Sequence, residues 1–270
     1  MVIDVNPVAI DIAGIAIRWY GLILVVAIAV AYAVASREAA RQALPTGILA
    51  DAAVWVGLAA LVGGRALYVI QNGVPDAGTH PLHFVMVWMG GLSFYGGLVA
   101  GAAALLLFAR RRGLSWLTVL DVAAPAAAVG QAIGHLGCLV SGDSYGIPTD
   151  LPWAVIYRNP GAMAPLGVPL HPTQAYEAIL LAALFLVLWM LRRRLSSAPG
   201  ALAAVYLAGL AIGRFALFFL RDEASVLIGL KTAQWIGLGI LVLAIALYVQ
   251  AMRRSRRPVT HPATLEVART

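Results

Sequence analysis

The chain has 270 residues, of which 61% are hydrophobic and only 11% charged, under half the charged fraction of about 25% usual in soluble domains. Together with a mean hydropathy of +0.87 and repeated apolar runs of about 20 residues, this excludes a water-soluble globule and predicts an all-α polytopic membrane protein. A single cysteine, Cys138, excludes an intrachain disulfide and any metal site made from cysteine pairs. The net charge of +7 reads as a topology signal in so apolar a chain, and no nucleic-acid partner is expected.

In chain order, Met1 to Ile17 carries only Asp4 and Asp11 and no basic residue. A cleaved signal peptide is therefore not expected, and the first span is retained. Apolar runs between charged or Gly/Pro-rich breaks predict about seven transmembrane helices, near residues 18–35, 51–70, 89–109, 114–140, 174–191, 201–220 and 232–252. Basic residues alternate from loop to loop: Arg37 and Arg41, then Arg110-Arg111-Arg112, then Arg192-Arg193-Arg194, then Arg253, Arg254, Arg256, Arg257 and Arg269. The positive-inside rule puts these on the cytoplasmic side, with the N-terminus out and the C-terminus in. The triplets read as topology anchors. The expected organisation is one transmembrane domain over residues 1–252 and a basic cytoplasmic tail over 253–270, whose charge suits anionic lipid. The one long loop, Ser141 to His171, lies on the outer side and holds Pro148, Pro152, Pro160, Pro165 and Pro169, with Pro172 just beyond. So proline-rich a segment is not a spanning helix.

Six basic residues are left over once orientation is accounted for: Arg18, Arg65, Arg158, Arg214, Arg221 and Lys231. At a rise of about 1.5 Å per residue, Arg65, His135, Cys138, Glu177, Arg214 and Arg221 fall near the outer ends of their spans, with Arg18 and Tyr20 at the start of the first and Asp143 and His171 in the outer loop. Any one of these arginines has a structural alternative, snorkelling to the interface or tying two helices together. Arg18, Arg65, Arg214 and Glu177 at one depth are better explained by an anionic headgroup site, because a guanidinium binds phosphate oxygens bidentately and keeps its charge when partly desolvated. Asp121, in the inner half of the fourth span, has no partner visible in the sequence. The pairs Gly63-Gly64, Gly90-Gly91 and Gly96-Gly97 allow close helix approach, and the stretch from Gly90 to Gly97 is glycine-rich enough to break a helix.

Four motifs occur in order: Arg18-Trp19-Tyr20-Gly21-Leu22, Gly90-Gly91-Leu92-Ser93-Phe94-Tyr95-Gly96-Gly97, the glycine motif from Gly134 to Gly146, and His171-Pro172-Thr173-Gln174-Ala175-Tyr176-Glu177. In this order and spacing the chain resembles the prolipoprotein diacylglyceryl transferases, from roughly residue 7 to 250. The resemblance implies an enzyme of the bacterial inner membrane, its site facing the outer leaflet, that moves a diacylglyceryl group from phosphatidylglycerol to the lipobox cysteine of a prolipoprotein signal peptide. The chain also departs from the family. Where the family shows Gly-Arg-x-Gly-Asn-Phe-x-Asn-Gly-Glu, this chain has His135 for the arginine, Cys138 and Ser141 for asparagines, and Asp143 for glutamate. Tyr95 stands where the family has histidine, and Phe218 where a glutamate is typical; Arg214 and Arg221 match family arginines.

The implied reaction needs a base for the acceptor thiol, since thiolate is the nucleophile, and cations for the leaving phosphate. Arg214 and Arg65, with Arg18, are expected to hold the phosphate, and His135 or His171 to substitute as the base. Tyr95, with a phenol pKa of about 10, is placed with Tyr20, Arg221 and Gln174 among substrate-binding residues. Glu177 and Asp143 orient arginines or water, Tyr176 hydrogen-bonds the headgroup beside Gln174, and Cys138 is a packing residue. No metal or other cofactor is expected. The partners are phosphatidylglycerol, the prolipoprotein and membrane lipid. A second reading is an inert or altered-specificity relative that binds phospholipid or lipoprotein. A transporter would instead show repeats and charges near the bilayer midplane.

Overall fold

The computed structural model describes residues 1–12, 15–73 and 91–255. Its helices are α1 (Trp19–Arg41), α2 (Leu49–Asn72), α3 (Phe94–Arg111), α4 (Trp116–Ser141), α5 (Thr173–Leu191), α6 (Ala201–Leu217) and α7 (Thr232–Ser255). Among the described residues these seven are long and apolar enough to cross a membrane, the sixth being continued by a 3₁₀ turn over Phe218–Leu220. Apolar lipid tails give helices no hydrophobic drive to associate, so close packing of small residues has to hold them. At the contact between α2 and α3, a Cβ on Gly63 would lie 2.7 Å from the Gly96 carbonyl oxygen, and one on Gly96 2.7 Å from the Leu67 Cβ. The pairs α1–α4, α2–α3, α6–α7 and α4–α5 pack extensively, whereas the α2–α3 hairpin touches the remainder sparsely. The buried core lies among α4 to α7, around Ala128, Leu181, Leu188, Tyr206, Leu210 and Leu247.

Two boundaries depart from the predicted spans. α1 continues to Arg41, and its last turns carry a buried acid, Glu38, gripped by both Arg41 and Arg192. α3 begins at Phe94 because Gly91 takes a φ of +77° and Ser93 is an extended N-cap, which leaves the glycine-rich break just ahead of the helix. Gly90 and residue 89 lie outside the described residues, as do Arg256, Arg257 and Arg269 of the tail.

Short strands add to the helical frame. β1 (Val2–Ile3) pairs parallel with β4 (Val155–Tyr157), which pairs antiparallel with β5 (Pro169–Leu170); β2 (Val8–Ile12) pairs with β3 (Ile15–Arg18), and β6 (Ser225–Leu227) with β7 (Leu230–Lys231). All adjoin the end of the bundle where α1, α3, α5 and α7 begin. At the opposite end Arg41, Arg112, Arg192 and Arg253 close their helices or follow them. There Arg41 also donates to the Arg192 carbonyl at 3.2 Å, and Arg112 pairs with Asp51 at 3.0 Å. The arginines read as topology anchors thus include two that enclose a buried glutamate. Asp121 finds backbone partners: its carboxylate accepts the Gly200 N–H at 2.7 Å and the Ala203 N–H at 2.8 Å, capping α6 from a neighbouring helix.

Candidate active site

Four helices bring their ends together at the strand-bearing end of the bundle. Glu177, one turn into α5, is 1% exposed and forms the centre. Its Oε1 accepts from Arg221 Nη1 at 2.9 Å, and its Oε2 lies 2.7 Å from Nε2 of His135 on α4. Arg214, near the end of α6, stacks its guanidinium over Phe94 at 4.7 Å and Phe218 at 5.1 Å; its Nε is buried without a partner among the described residues. Tyr95 lies within electrostatic reach of Arg214, Arg221 and Glu177, and lines a small cleft with Arg214 and Phe94. Arg221 is fixed from two further sides: its Nε is 3.3 Å from Glu223 Oε1, and its carbonyl and that of Phe218 accept the buried Lys231 ammonium. The sequence singled out Lys231 but gave it no role; it closes the turn that presents Arg221.

The outer-loop residues form a frame beside this cluster. The Gln174 side chain donates to the Asp143 carbonyl at 2.6 Å, and Thr173 to the Ser144 carbonyl at 2.7 Å. Tyr157 donates to the Leu139 carbonyl at 2.9 Å, and burial pushes its phenol up to about 12, so it remains a donor. His171 belongs to a different set of contacts, with Nδ1 3.4 Å from the Tyr176 hydroxyl, which also accepts from Trp153 at 2.7 Å. Gly146 threads between His171 and Leu220, where a Cβ would meet the His171 Cβ and the Leu220 carbonyl oxygen, each at 2.6 Å. Of the expected residues, His135, Glu177, Arg214 and Arg221 therefore form one group with Tyr95 alongside. Arg65 donates to the Gly91 carbonyl at 3.0 Å and lies over Tyr68, within the α2–α3 hairpin, and Arg18 is exposed at the N-cap of α1.

A partly open cavity of about 640 Å³ runs down from His135, Cys138 and Tyr20 between α1, α2, α3 and α4 to Leu44, Pro45 and Ile48. Its walls are almost wholly apolar, and its polar lining includes Gln131, one turn before His135 on α4. Gln131 was not among the expected residues. Its side-chain nitrogen contacts the Tyr206 hydroxyl while its Oε1 is buried without a partner. Among the described residues no group of three or more His, Cys, Asp or Glu is placed to hold a metal ion.

Comparison with known proteins agrees with the motifs. Residues 7–250 match the family described as prolipoprotein diacylglyceryl transferase. The chain belongs to that family. Relatives named phosphatidylglycerol–prolipoprotein diacylglyceryl transferase include those of Synechococcus elongatus, 34% identical with 96% of this chain and 92% of the relative covered; Bordetella avium, 35% identical with 93% and 97% covered; and Cupriavidus pinatubonensis, 35% identical with 94% and 96% covered. Two positions of the cluster depart from the motif pattern that carries the resemblance. His135, at the position of the motif's arginine, contacts Glu177. Phe218, in place of glutamate, is buried with its ring 5.1 Å from both Arg214 and Arg221, so an aromatic face stands where a carboxylate would otherwise separate two cations.

Proposed function

We propose that this protein transfers a diacylglyceryl group from phosphatidylglycerol to the lipobox cysteine thiol of a prolipoprotein. The observation that carries this reading is a long apolar cavity that reaches His135 and, through Glu177, Arg221, with Arg214 in an adjoining cleft that shares Phe94 with it. An amphiphile with two acyl chains and a phosphodiester head needs both: apolar walls for the chains, and arginines where the head meets them. Arg214 is the principal phosphate ligand, since its guanidinium is oriented by two rings yet not consumed by a carboxylate. Arg221 and Glu177 hold the cluster's geometry, and His135 acts as base toward the thiol. Arg18 and Arg65, with Tyr20 and Tyr95, contribute to binding at the rim, and the buried Gln174 holds the Asp143 carbonyl behind it. Asp143 and His171 shape the outer loop that receives the signal peptide.

The site faces the outer leaflet of the bacterial inner membrane. Support comes from the arginines gathered at the opposite end of the helices, which the positive-inside rule assigns to the cytoplasm. The whole chain to residue 252 is one transmembrane unit, followed by the basic tail. The test is purified protein with phosphatidylglycerol and a lipobox peptide, read by mass spectrometry for the thioether-linked diacylglyceryl product beside an active family member. Product formation is expected. Lipid binding without product, with the control active, would identify an inert or altered-specificity relative and overturn the reading.

A further inference from the structure

Two buried acceptors on one face of α4 have nothing to accept among the described residues. Gln131 Oε1 and His135 Nδ1 are both buried there without hydrogen-bond partners, four residues apart and so one above the other on the helix. Both residues line the apolar cavity. A buried, unpaired acceptor is costly, and its persistence at a site calls for an explanation. Two acceptors side by side ask for a ligand that brings donors.

The other nitrogen of His135 faces a carboxylate. Its Nε2 lies 2.7 Å from Glu177 Oε2, which has no aligned hydrogen bond among the described residues, and Glu177 is anchored by Arg221 at 2.9 Å. A small rotation of the ring lets Oε2 accept the Nε2 proton, which leaves the Nδ1 lone pair free. This is the geometry by which an acid orients a histidine base and then steadies the imidazolium. The charged and titratable groups around the pair are Arg221 and Glu223 after α6, Arg214 on α6, Tyr95 on α3, Tyr20 on α1, Cys138 on α4 and Asp143 beyond it.

Resting on the transferase reading above, we infer that His135 Nδ1 is the atom that takes the acceptor thiol's proton, and that Glu177 is its positioning residue, fixing the tautomer through Nε2. The acceptor S–H proton passes to Nδ1 as sulfur attacks the terminal glyceryl carbon. The bond from that carbon to the phosphate oxygen breaks, and glycerol phosphate departs with the electron pair as a dianion. The imidazolium gained and the extra negative charge on the phosphate balance.

The experiment compares wild type, His135→Gln and Glu177→Gln on two lipobox peptides, one with cysteine and one with selenocysteine, whose selenol is already ionised at neutral pH. With the cysteine peptide at pH 7, His135→Gln should lose about 10²–10⁴-fold in turnover. With the selenocysteine peptide that deficit should shrink at least about tenfold, because the proton no longer needs a base. The deficit on cysteine should also narrow as pH rises through the thiol's own value of about 8.5. Glu177→Gln should show the same pattern at smaller amplitude; a merely structural role would give a deficit equal for both peptides and flat with pH. Either flat behaviour or unimpaired His135→Gln overturns the inference. ¹⁵N spectra of the wild type, with His135 assigned by difference against His135→Gln or, if that variant does not fold, His135→Asn, give a test independent of turnover. Protonated Nε2 with an unprotonated Nδ1 is expected, and the opposite tautomer overturns the assignment. Should the wild type transfer to neither peptide, the transferase reading falls, and the tautomer alone then decides whether Glu177 orients His135.

Discussion

Replacing Asp121 by alanine removes the acceptor of two backbone N–H groups at the start of α6, those of Gly200 and Ala203. The helix has no local substitute. Its N-cap is Gly200, with a φ of +93° and no side chain to offer, and Asp121 itself is 5% exposed, so little water replaces it. Hydrogen bonds to a charged acceptor are worth about 1.5–3 kcal/mol each, and buried donors left unpaired cost a similar amount. A loss of about 3–5 kcal/mol follows, which for a chain of this size lowers Tm by roughly 10 °C. Asp121→Asn keeps one acceptor oxygen in place and should lose about half as much. The assay is tryptophan fluorescence during a thermal ramp of the detergent-solubilised protein, with transfer measured per folded molecule well below the transition. Turnover per folded molecule should stay unchanged, since Asp121 lies at the far end of α4 from Glu177. An alanine variant that melts within about 2 °C of the parent, or one that melts normally but loses turnover, would refute the capping argument.

Further expectations concern the ends of the bundle and the cavity. Glu38→Ala leaves Arg41 and Arg192 facing each other without their shared carboxylate and should cost about 3–5 kcal/mol in the same melting assay. Gly146→Ala puts a methyl 2.6 Å from both the His171 Cβ and the Leu220 carbonyl; it should cost about 1–3 kcal/mol and lower turnover, because Arg221 follows Leu220 directly. Arg214→Lys gives up the stacking on Phe94 and Phe218 and should reduce transfer about 10²-fold with the melting curve unchanged. Gly57 lines the cavity and a Cβ there meets open space, so Gly57→Phe should raise KM for long-chain lipid about fivefold to tenfold relative to a short-chain analogue.

What the sequence displayed depended on whether the signal was local. Spans are local, and apolar runs bounded by arginines located all seven to within a few residues at most ends. Depth along a span is also local, because rise per residue is fixed, which is why His135, Glu177, Arg214 and Arg221 could be placed at one height. Azimuth is not. Height alone did not distinguish Arg65, which faces the α2–α3 hairpin, from Arg221, which grips Glu177. It did not separate His171, held at Tyr176, from His135. Asp121 had no visible partner because backbone N–H groups carry no residue signature. Glu38 drew no attention in the sequence, and only contacts from Arg41 and Arg192, 151 residues apart, mark that corner as interior. The strands were invisible because two to five residues are too few for an alternation to register.

The two departures at positions 135 and 218 have a common logic in charge. Where the family pattern has arginine and glutamate, this chain has histidine and phenylalanine, so one cation and one anion have left the cluster together. The two positions are joined by a chain of contacts: the Phe218 ring lies 5.1 Å from the Arg221 guanidinium, Arg221 binds Glu177 at 2.9 Å, and Glu177 meets His135 at 2.7 Å. His135→Arg alone adds a fixed positive charge beside Arg221 and Arg214, with only Glu177, already paired with Arg221, to offset it. Phe218→Glu alone removes a ring from between two guanidiniums and sets a third carboxylate, beside Glu177 and Glu223, competing for Arg221. Each single change should destabilise the fold, and the double change should recover about 1–3 kcal/mol of the summed loss. Melting temperature is the readout that isolates this effect, since arginine at position 135 also removes the proposed base and would lower turnover whatever the charge balance. Additivity of the two losses to within about 0.5 kcal/mol would show that the substitutions are independent, and that Arg221 and Glu177 do not transmit charge between them.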